Sequence, residues 1–119
     1  MKTFLDAIGI GIDIVEVNRF KRIPYTKKPS FYKKIFTMDE INYCLKFNEP
    51  YTHFAGKFAA KEALKKSIST NVNMLDIETS YSNNKPVIKL KKNNSYKFKF
   101  SISHEKKVAL AVIISQKVK

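Results

Sequence analysis

Three stretches of the chain carry side chains suited to chemistry. In GIGIDIVEVNRF, residues Gly9 to Phe20, Asp13 follows a run in which isoleucine alternates with glycine. Glycine inside a strand marks a close approach by something else, which makes this carboxylate a candidate metal ligand beside a cleared space. The plainer account is a strand-terminal acid in an Asx-type turn. In FAGKFAAKEALKK, residues Phe54 to Lys66, Lys57 and Lys61 are one helical step of four apart, and Glu62 pairs with Lys66 at the same spacing. A solvated face with an exposed ion pair worth about 0.3–0.5 kcal/mol would account for it. The alanines around Glu62 suggest instead a carboxylate able to meet another segment or a ligand. In SISHEKKVALAVI, residues Ser101 to Ile113, Ser103 and His104 sit where a strand meets its turn, a place usually held by a structural or exposed histidine. Neither a G-x-S-x-G elbow nor a Cys–His pairing is visible, so the chain offers no nucleophilic triad.

These groups need elements to position them. Residues Phe4 to Val17 read as a strand with Ile8, Ile10, Ile12 and Ile14 on one face and Gly9, Gly11 and Asp13 on the other. From Asn18 to Pro29 the pattern gives way to basic and turn-forming residues. Ser30 then caps a short helix over Phe31 to Ile35. Thr37 with Glu40 forms a capping box for a helix over Met38 to Phe47, ended by Pro50. The strongest helix runs from Tyr51 to about Ile68, where Phe54, Phe58, Ala55, Ala59 and Ala63 supply a face for packing on a sheet. Strand-like runs follow at Leu75 to Tyr81, Val87 to Leu90, Tyr96 to Ser103 and Val108 to Ile114. Asn83, Asn84, Lys85 and Pro86 make the turn between the first two, and the last two form a hairpin around Glu105 to Lys107. The expectation is an α+β single domain over residues 1–119, with an antiparallel sheet packed against a long central helix and shorter helices. The order is one strand, a helical middle, then an antiparallel meander.

Composition narrows the function classes. A chain of 119 residues that is 44% hydrophobic closes one core, not two. The single Cys44 forms no internal disulfide, and no Cys/His cluster has zinc-site spacing, which fits a reducing cytoplasm. Asp6 and Asp13 interrupt the apolar N-terminal stretch, so it does not read as a signal peptide, and no apolar run approaches the roughly 20 residues of a membrane span. The formal net charge of +13 points to a polyanionic partner, with lysine habit in the composition as the bland alternative. Nucleic acid is the main rival partner, because aromatic and basic residues interleave in YKFKF, Tyr96 to Phe100. Against it, the arginines are Arg19 and Arg22 alone, and alternation puts Phe98 and Phe100 on the face of Ile102 with the lysines in solvent. A noncatalytic scaffold of the same fold is the second rival.

In order, spacing and content the three stretches resemble the phosphopantetheinyl transferases of the acyl carrier protein synthase type, over nearly the whole chain. GIGIDIVEVNRF looks like that family's opening G-x-D signature, FAGKFAAKEALKK like its central K-E-A helix, and SISHEKKVALAVI like its closing S-x-S-H strand. The family often has glycine where this chain has Asn84, and arginine where it has Lys57.

The resemblance implies attack by a carrier-protein serine on the β-phosphate of coenzyme A, releasing adenosine 3',5'-bisphosphate and supporting fatty acid biosynthesis. Asp13 and Glu62 would hold one Mg²⁺. Glu62, or water on the metal, would remove the serine proton, and Lys66 would neutralise or protonate the departing phosphate. Lys57, Lys61, Ser103 and His104 would meet coenzyme A phosphates, the 3'-phosphate above all. Asn83 to Pro86, with Asn84, Lys85 and Pro86 as contacts, would lie by the adenine. Arg19, with Phe20 and Arg22, would dock an acidic acyl carrier protein. The family's three-subunit ring, with each site between neighbours, implies a homotrimer. From the composition and alternation above, neither a membrane nor nucleic acid is expected as a partner.

Overall fold

The structure, a computed structural model, describes residues 3–92 and 95–118. After a 3₁₀ turn at Phe4–Ala7 come β1 (Ile8–Glu16), α1 (Asn18–Lys21), α2 (Pro29–Lys33), α3 (Met38–Leu45) and α4 (Pro50–Ser67). A second 3₁₀ turn, Met74–Asp76, leads into β2 (Ile77–Ser82), β3 (Lys85–Leu90), β4 (Tyr96–His104) and β5 (Val108–Lys117). The α+β class is as expected. The strand does not begin at Phe4, however: the Asp6 carboxylate accepts from the Thr3 backbone N–H at 2.7 Å and winds the entry into a turn. Thr37 and Glu40 form the expected capping box, while α2 has Lys28 at its N-cap position and starts with Pro29 rather than behind Ser30.

The later strands are not one meander. They divide into a three-stranded antiparallel sheet in the order β1-β5-β4 and a separate β2-β3 hairpin. At the hairpin turn Asn83 and Asn84 take φ of 52° and 63°, the left-handed pair a two-residue turn requires. Lys85 and Pro86 lie beyond the turn, inside β3, opposite Ser82 and Tyr81.

Helix α4 lies across β1 and β5 and organises the core. Gly9 and Gly11 explain how it comes so near: a Cβ at either position would collide with the carbonyl oxygens of Ser67 or Ala63. The cleared space beside Asp13 is thus filled by the helix itself. Ala55, Ala59 and Ala63 are fully buried along it. Beyond its N-terminal half, Phe20, Tyr32, Phe36, Phe54 and Phe58 form an aromatic cluster in which Phe20 meets Phe58 edge-on at 5.6 Å and Tyr32 meets Phe54 at 4.7 Å. The Tyr32 hydroxyl reaches the carbonyls of Phe20 at 3.1 Å and Ile23 at 2.8 Å, tying down the segment after β1. Phe98 and Phe100 pack partly buried against the core from β4 while Lys97 and Lys99 face outward, the alternation expected of a core-facing strand.

The isoleucine face of β1 is the uncovered one. Ile10, Ile12 and Ile14 are 68%, 57% and 65% exposed, and Ile114 of β5 extends the patch.

Candidate active site

Alternation along β1 turns Asp13 toward α4, two residues beyond the glycine that admits the helix. Lys66, near the end of α4, leans toward the helix N-terminus as helical side chains do. Its Nζ donates to the Asp13 carboxylate and to the Ile12 carbonyl, each at 3.0 Å. Glu62 is one turn earlier on the same face, but its nearest cation is Lys65 at 3.9 Å. The expected Glu62–Lys66 pair is therefore replaced by Asp13–Lys66, because strand and helix pass close enough for a longer-range partner to win. Asp13 and Glu62 are partly exposed at this corner, with a mobile-length ammonium between strand and helix.

No group of three or more His, Cys, Asp or Glu side chains with metal-site geometry exists among the described residues. A two-carboxylate set suits a hard divalent ion such as Mg²⁺, which takes one or two carboxylates and keeps its remaining positions for water and phosphate oxygens. Lys66 already shows that the Asp13 oxygens accept a cation at this spot.

Lys57 and Lys61 are buried, so the solvated-face account of their spacing does not hold. Lys61 has no exposed surface, and its three donor hydrogens are matched by Glu40 Oε1 at 2.7 Å, the Ile35 carbonyl at 2.8 Å and the Met74 carbonyl at 3.1 Å. It has nothing left for a phosphate, which corrects its expected role. Glu40 does two jobs. The same Oε1 caps α3 by accepting from the Thr37 N–H at 2.8 Å, and its Oε2 accepts from the N–H and hydroxyl of Thr79. Burial raises the Glu40 pKa, but the Lys61 ammonium and these hydrogen bonds outweigh it and hold the carboxyl below its ordinary value.

Lys57 extends this network without closing it. Its Nζ donates to Thr79 Oγ1 at 2.7 Å and lies over the rings of Tyr43 at 4.8 Å and Tyr81 at 5.5 Å. Burial lowers its pKa. Unlike Lys61 it opens onto a cleft of about 210 Å³, whose walls include Tyr43, His53, Tyr81, Pro86 and His104. Lys57 also lines a second hollow of about 350 Å³, which it shares with Lys46 and Thr79.

His53 belongs to none of the three motif stretches. It stacks on Phe47 at 3.7 Å and meets His104 at 5.6 Å. Its position one turn before Lys57 on α4 was the available signal. Ser103 does not join His104, since alternation puts it on the outer face of the sheet opposite Leu110. Asn84 and Lys85 are at the exposed hairpin tip, and of that turn's candidate contacts Pro86 reaches the cleft wall. Phe20 is fully buried in the aromatic cluster, which corrects it as a docking contact. Arg19 and Arg22 are exposed, with the Arg19 guanidinium over the Phe58 ring at 4.8 Å.

The candidates thus gather at two places on one face of the sheet: the corner of Asp13, Glu62 and Lys66, and the cleft of Lys57, His53 and His104. Asp13 and His104 are two strands and two residues apart in register, about 12 Å by ordinary sheet spacings. The sequence profile of the 4'-phosphopantetheinyl transferase superfamily matches residues 9–113, which contain both places. The chain belongs to that superfamily. It is 38% identical to the holo-[acyl-carrier-protein] synthase of Halothermothrix orenii, over 91% of this chain and 96% of that protein. Among solved structures, the holo-(acyl-carrier-protein) synthase of Bacillus anthracis, in complex with CoA (3',5'-ADP), superposes with a TM-score of 0.79 at 33% identity, covering 92% of this chain and 96% of that one. The Helicobacter pylori synthase, in complex with coenzyme A, gives 0.75 at 33% identity over 90% and 99% of the two chains.

As a phosphopantetheinyl transferase the chain needs alignment and charge neutralisation more than a protein nucleophile, and its two polar places supply both kinds of group. No helix among the described residues is long and apolar enough to cross a membrane.

Proposed function

We propose that this transferase moves the 4'-phosphopantetheine arm of coenzyme A onto a serine hydroxyl of an apo acyl carrier protein, in the cytoplasm and in support of fatty acid biosynthesis. The observation that carries it is the corner where Lys66 bridges strand and helix beside two carboxylates. The coenzyme A complexes of similar synthases support the substrate. In the transfer a bond forms between the serine oxygen and the β-phosphorus, and the bond from that phosphorus to the oxygen of the departing adenosine 3',5'-bisphosphate breaks.

Asp13 and Glu62 would hold a Mg²⁺, a hard ion suited to a two-carboxylate set. When bound, the ion would stabilise charge developing on the diphosphate. Glu62 is the acceptor for the serine proton. Lys66, more exposed than Asp13, swings from the carboxylate to the leaving phosphate and neutralises or protonates it. Lys57 and His104 bind phosphate in the cleft. Thr79 and Glu40 fix the Lys57 ammonium from behind.

Arg19 and Arg22 offer an acidic carrier its docking point, and the overall charge of +13 steers its approach. The uncovered isoleucines of β1 and β5 supply a self-association surface, by which three copies assemble and complete the sites between them.

Intact-protein mass spectrometry of an apo carrier protein incubated with this chain, coenzyme A and Mg²⁺ tests the reading. One added phosphopantetheine group is expected. Asp13→Ala and Glu62→Ala each abolish the gain while melting cooperatively. Retained activity in both variants would eliminate the metal assignment.

A further inference from the structure

We propose that His53 and His104 form a paired-imidazole clamp for a phosphomonoester dianion, so that the cleft beside Lys57 takes up a proton when it binds the 3'-phosphate end of coenzyme A. This rests on the coenzyme A reading above and adds to it a second recognition residue and a proton linkage.

The geometry is specific. The two rings belong to different elements, α4 and β4, and meet edge-on with centroids 5.6 Å apart and planes 65° apart. Phe47 stacks on His53 at 3.7 Å with planes 17° apart, which fixes the ring plane while leaving its edge to the cleft. No hydrogen bond engages either imidazole among the described residues, so their nitrogens remain available to a ligand. The charged and titratable groups around His53 are Lys57 on its own helix, His104 from β4, Tyr43 from α3 and Tyr81 from the hairpin. The cleft lining contains no carboxylate.

Without a ligand, burial first, then the positive charges of His104 and Lys57, keep the His53 pKa below its ordinary value. A dianion bridging the cleft-facing edges of the two rings reverses the second effect, because it favours the cationic form of whatever it touches. A phosphate monoester, with a second pKa near 6, is still largely dianionic at neutral pH. Binding therefore raises the His53 pKa. By linkage, the gain in affinity is fully present below the pKa of the free protein and is lost as pH rises through the higher pKa in the complex. The 3'-phosphate is the monoester of coenzyme A, so dephospho-coenzyme A, which lacks it, gains nothing from the clamp.

Calorimetric titration of the full chain with coenzyme A and with dephospho-coenzyme A, between about pH 6.5 and about pH 8 in buffers of different ionisation enthalpy, tests this. The wild type is expected to take up protons with coenzyme A only, and to bind it roughly three- to tenfold more weakly at the upper end of the range. His53→Phe keeps a ring to stack on Phe47, and His53→Gln keeps a hydrogen-bonding group that cannot titrate. Both are expected to lose most of the proton uptake, flatten the pH profile and narrow the discrimination between the two ligands, with thermal melts showing that each is folded. Coenzyme A binding with unchanged proton uptake and pH profile in both variants would overturn the clamp while leaving the transferase reading intact. No binding of coenzyme A by the wild type, together with no mass gain on the carrier, would overturn both.

Discussion

Lys61 shows how far local spacing can be trusted at the scale of one residue. A four-residue step correctly gave it a common face with Lys57, but an alanine-rich helix packed nearly all round has little outer face, and the counter-charge comes from Glu40, 21 positions away. Glu40 was legible only as a cap, because nothing in a capping box announces that the same oxygen will also meet a buried ammonium. Lys61→Met should cost about 3–5 kcal/mol, since it leaves Glu40 buried without its ion-pair partner. Urea denaturation measures it, and combining it with Glu40→Gln should cost less than the sum of the two single changes. The pH dependence has a definite sign. Glu40 titrates lower in the folded than in the unfolded chain, where its ordinary value is 4.5. Its contribution is fully present above that value and is lost as pH falls through the folded one, so wild type should lose stability on acidification more steeply than Glu40→Gln. The two acids of the candidate site were more legible. Asp13 was marked by the glycines before it and Glu62 by small neighbours, whereas His53 had neither motif nor unusual surroundings in the sequence.

Among the elements, periodicity identified the strands and the central helix to within a few residues, but pairing partners were beyond its reach. The period of two is the same for a strand in a meander and for one in a separate hairpin. What splits the later strands into two sheets is the return of β5 to the first strand of the chain, in register from Ile8 opposite Gln116 to Glu16 opposite Val108. The choice of inner face was equally hidden, since four isoleucines opposite two glycines and an acid look like the core-facing side until a helix is found resting on bare backbone. That contact gives a sharp test. Gly11→Ala forces a methyl group against the Ala63 carbonyl, and backbone cannot swing aside as a side chain can. We expect a loss of about 1–3 kcal/mol in thermal melts, the usual cost of overpacking, and a slower transfer reaction because Asp13 is displaced with its strand. The same substitution at Gly56, whose nearest neighbour is a side-chain methyl of Ile102 at 3.3 Å, should be tolerated better.

For the whole molecule, the outer surface of the three-stranded sheet and the net charge of +13 act in different ways. On the proposed reading, charge of one sign disperses copies of the chain and attracts an acidic carrier, while a patch of exposed isoleucine draws copies together. Ile12→Glu separates the two. It should leave the melt cooperative, since Ile12 touches solvent rather than core, but reduce the sedimentation coefficient to that of a monomer. Sedimentation velocity checks this, and an unchanged value would remove the self-association surface. The meeting of β1 and α4 has a consequence for motion as well. With only hydrogen atoms between strand backbone and helix carbonyls, the two pieces bearing Asp13 and Glu62 travel as one plate, like leaves of a book glued at the spine. Any opening of the cleft is therefore expected at its other border, the β2-β3 hairpin that contributes Tyr81 and Pro86, rather than between Asp13 and Glu62.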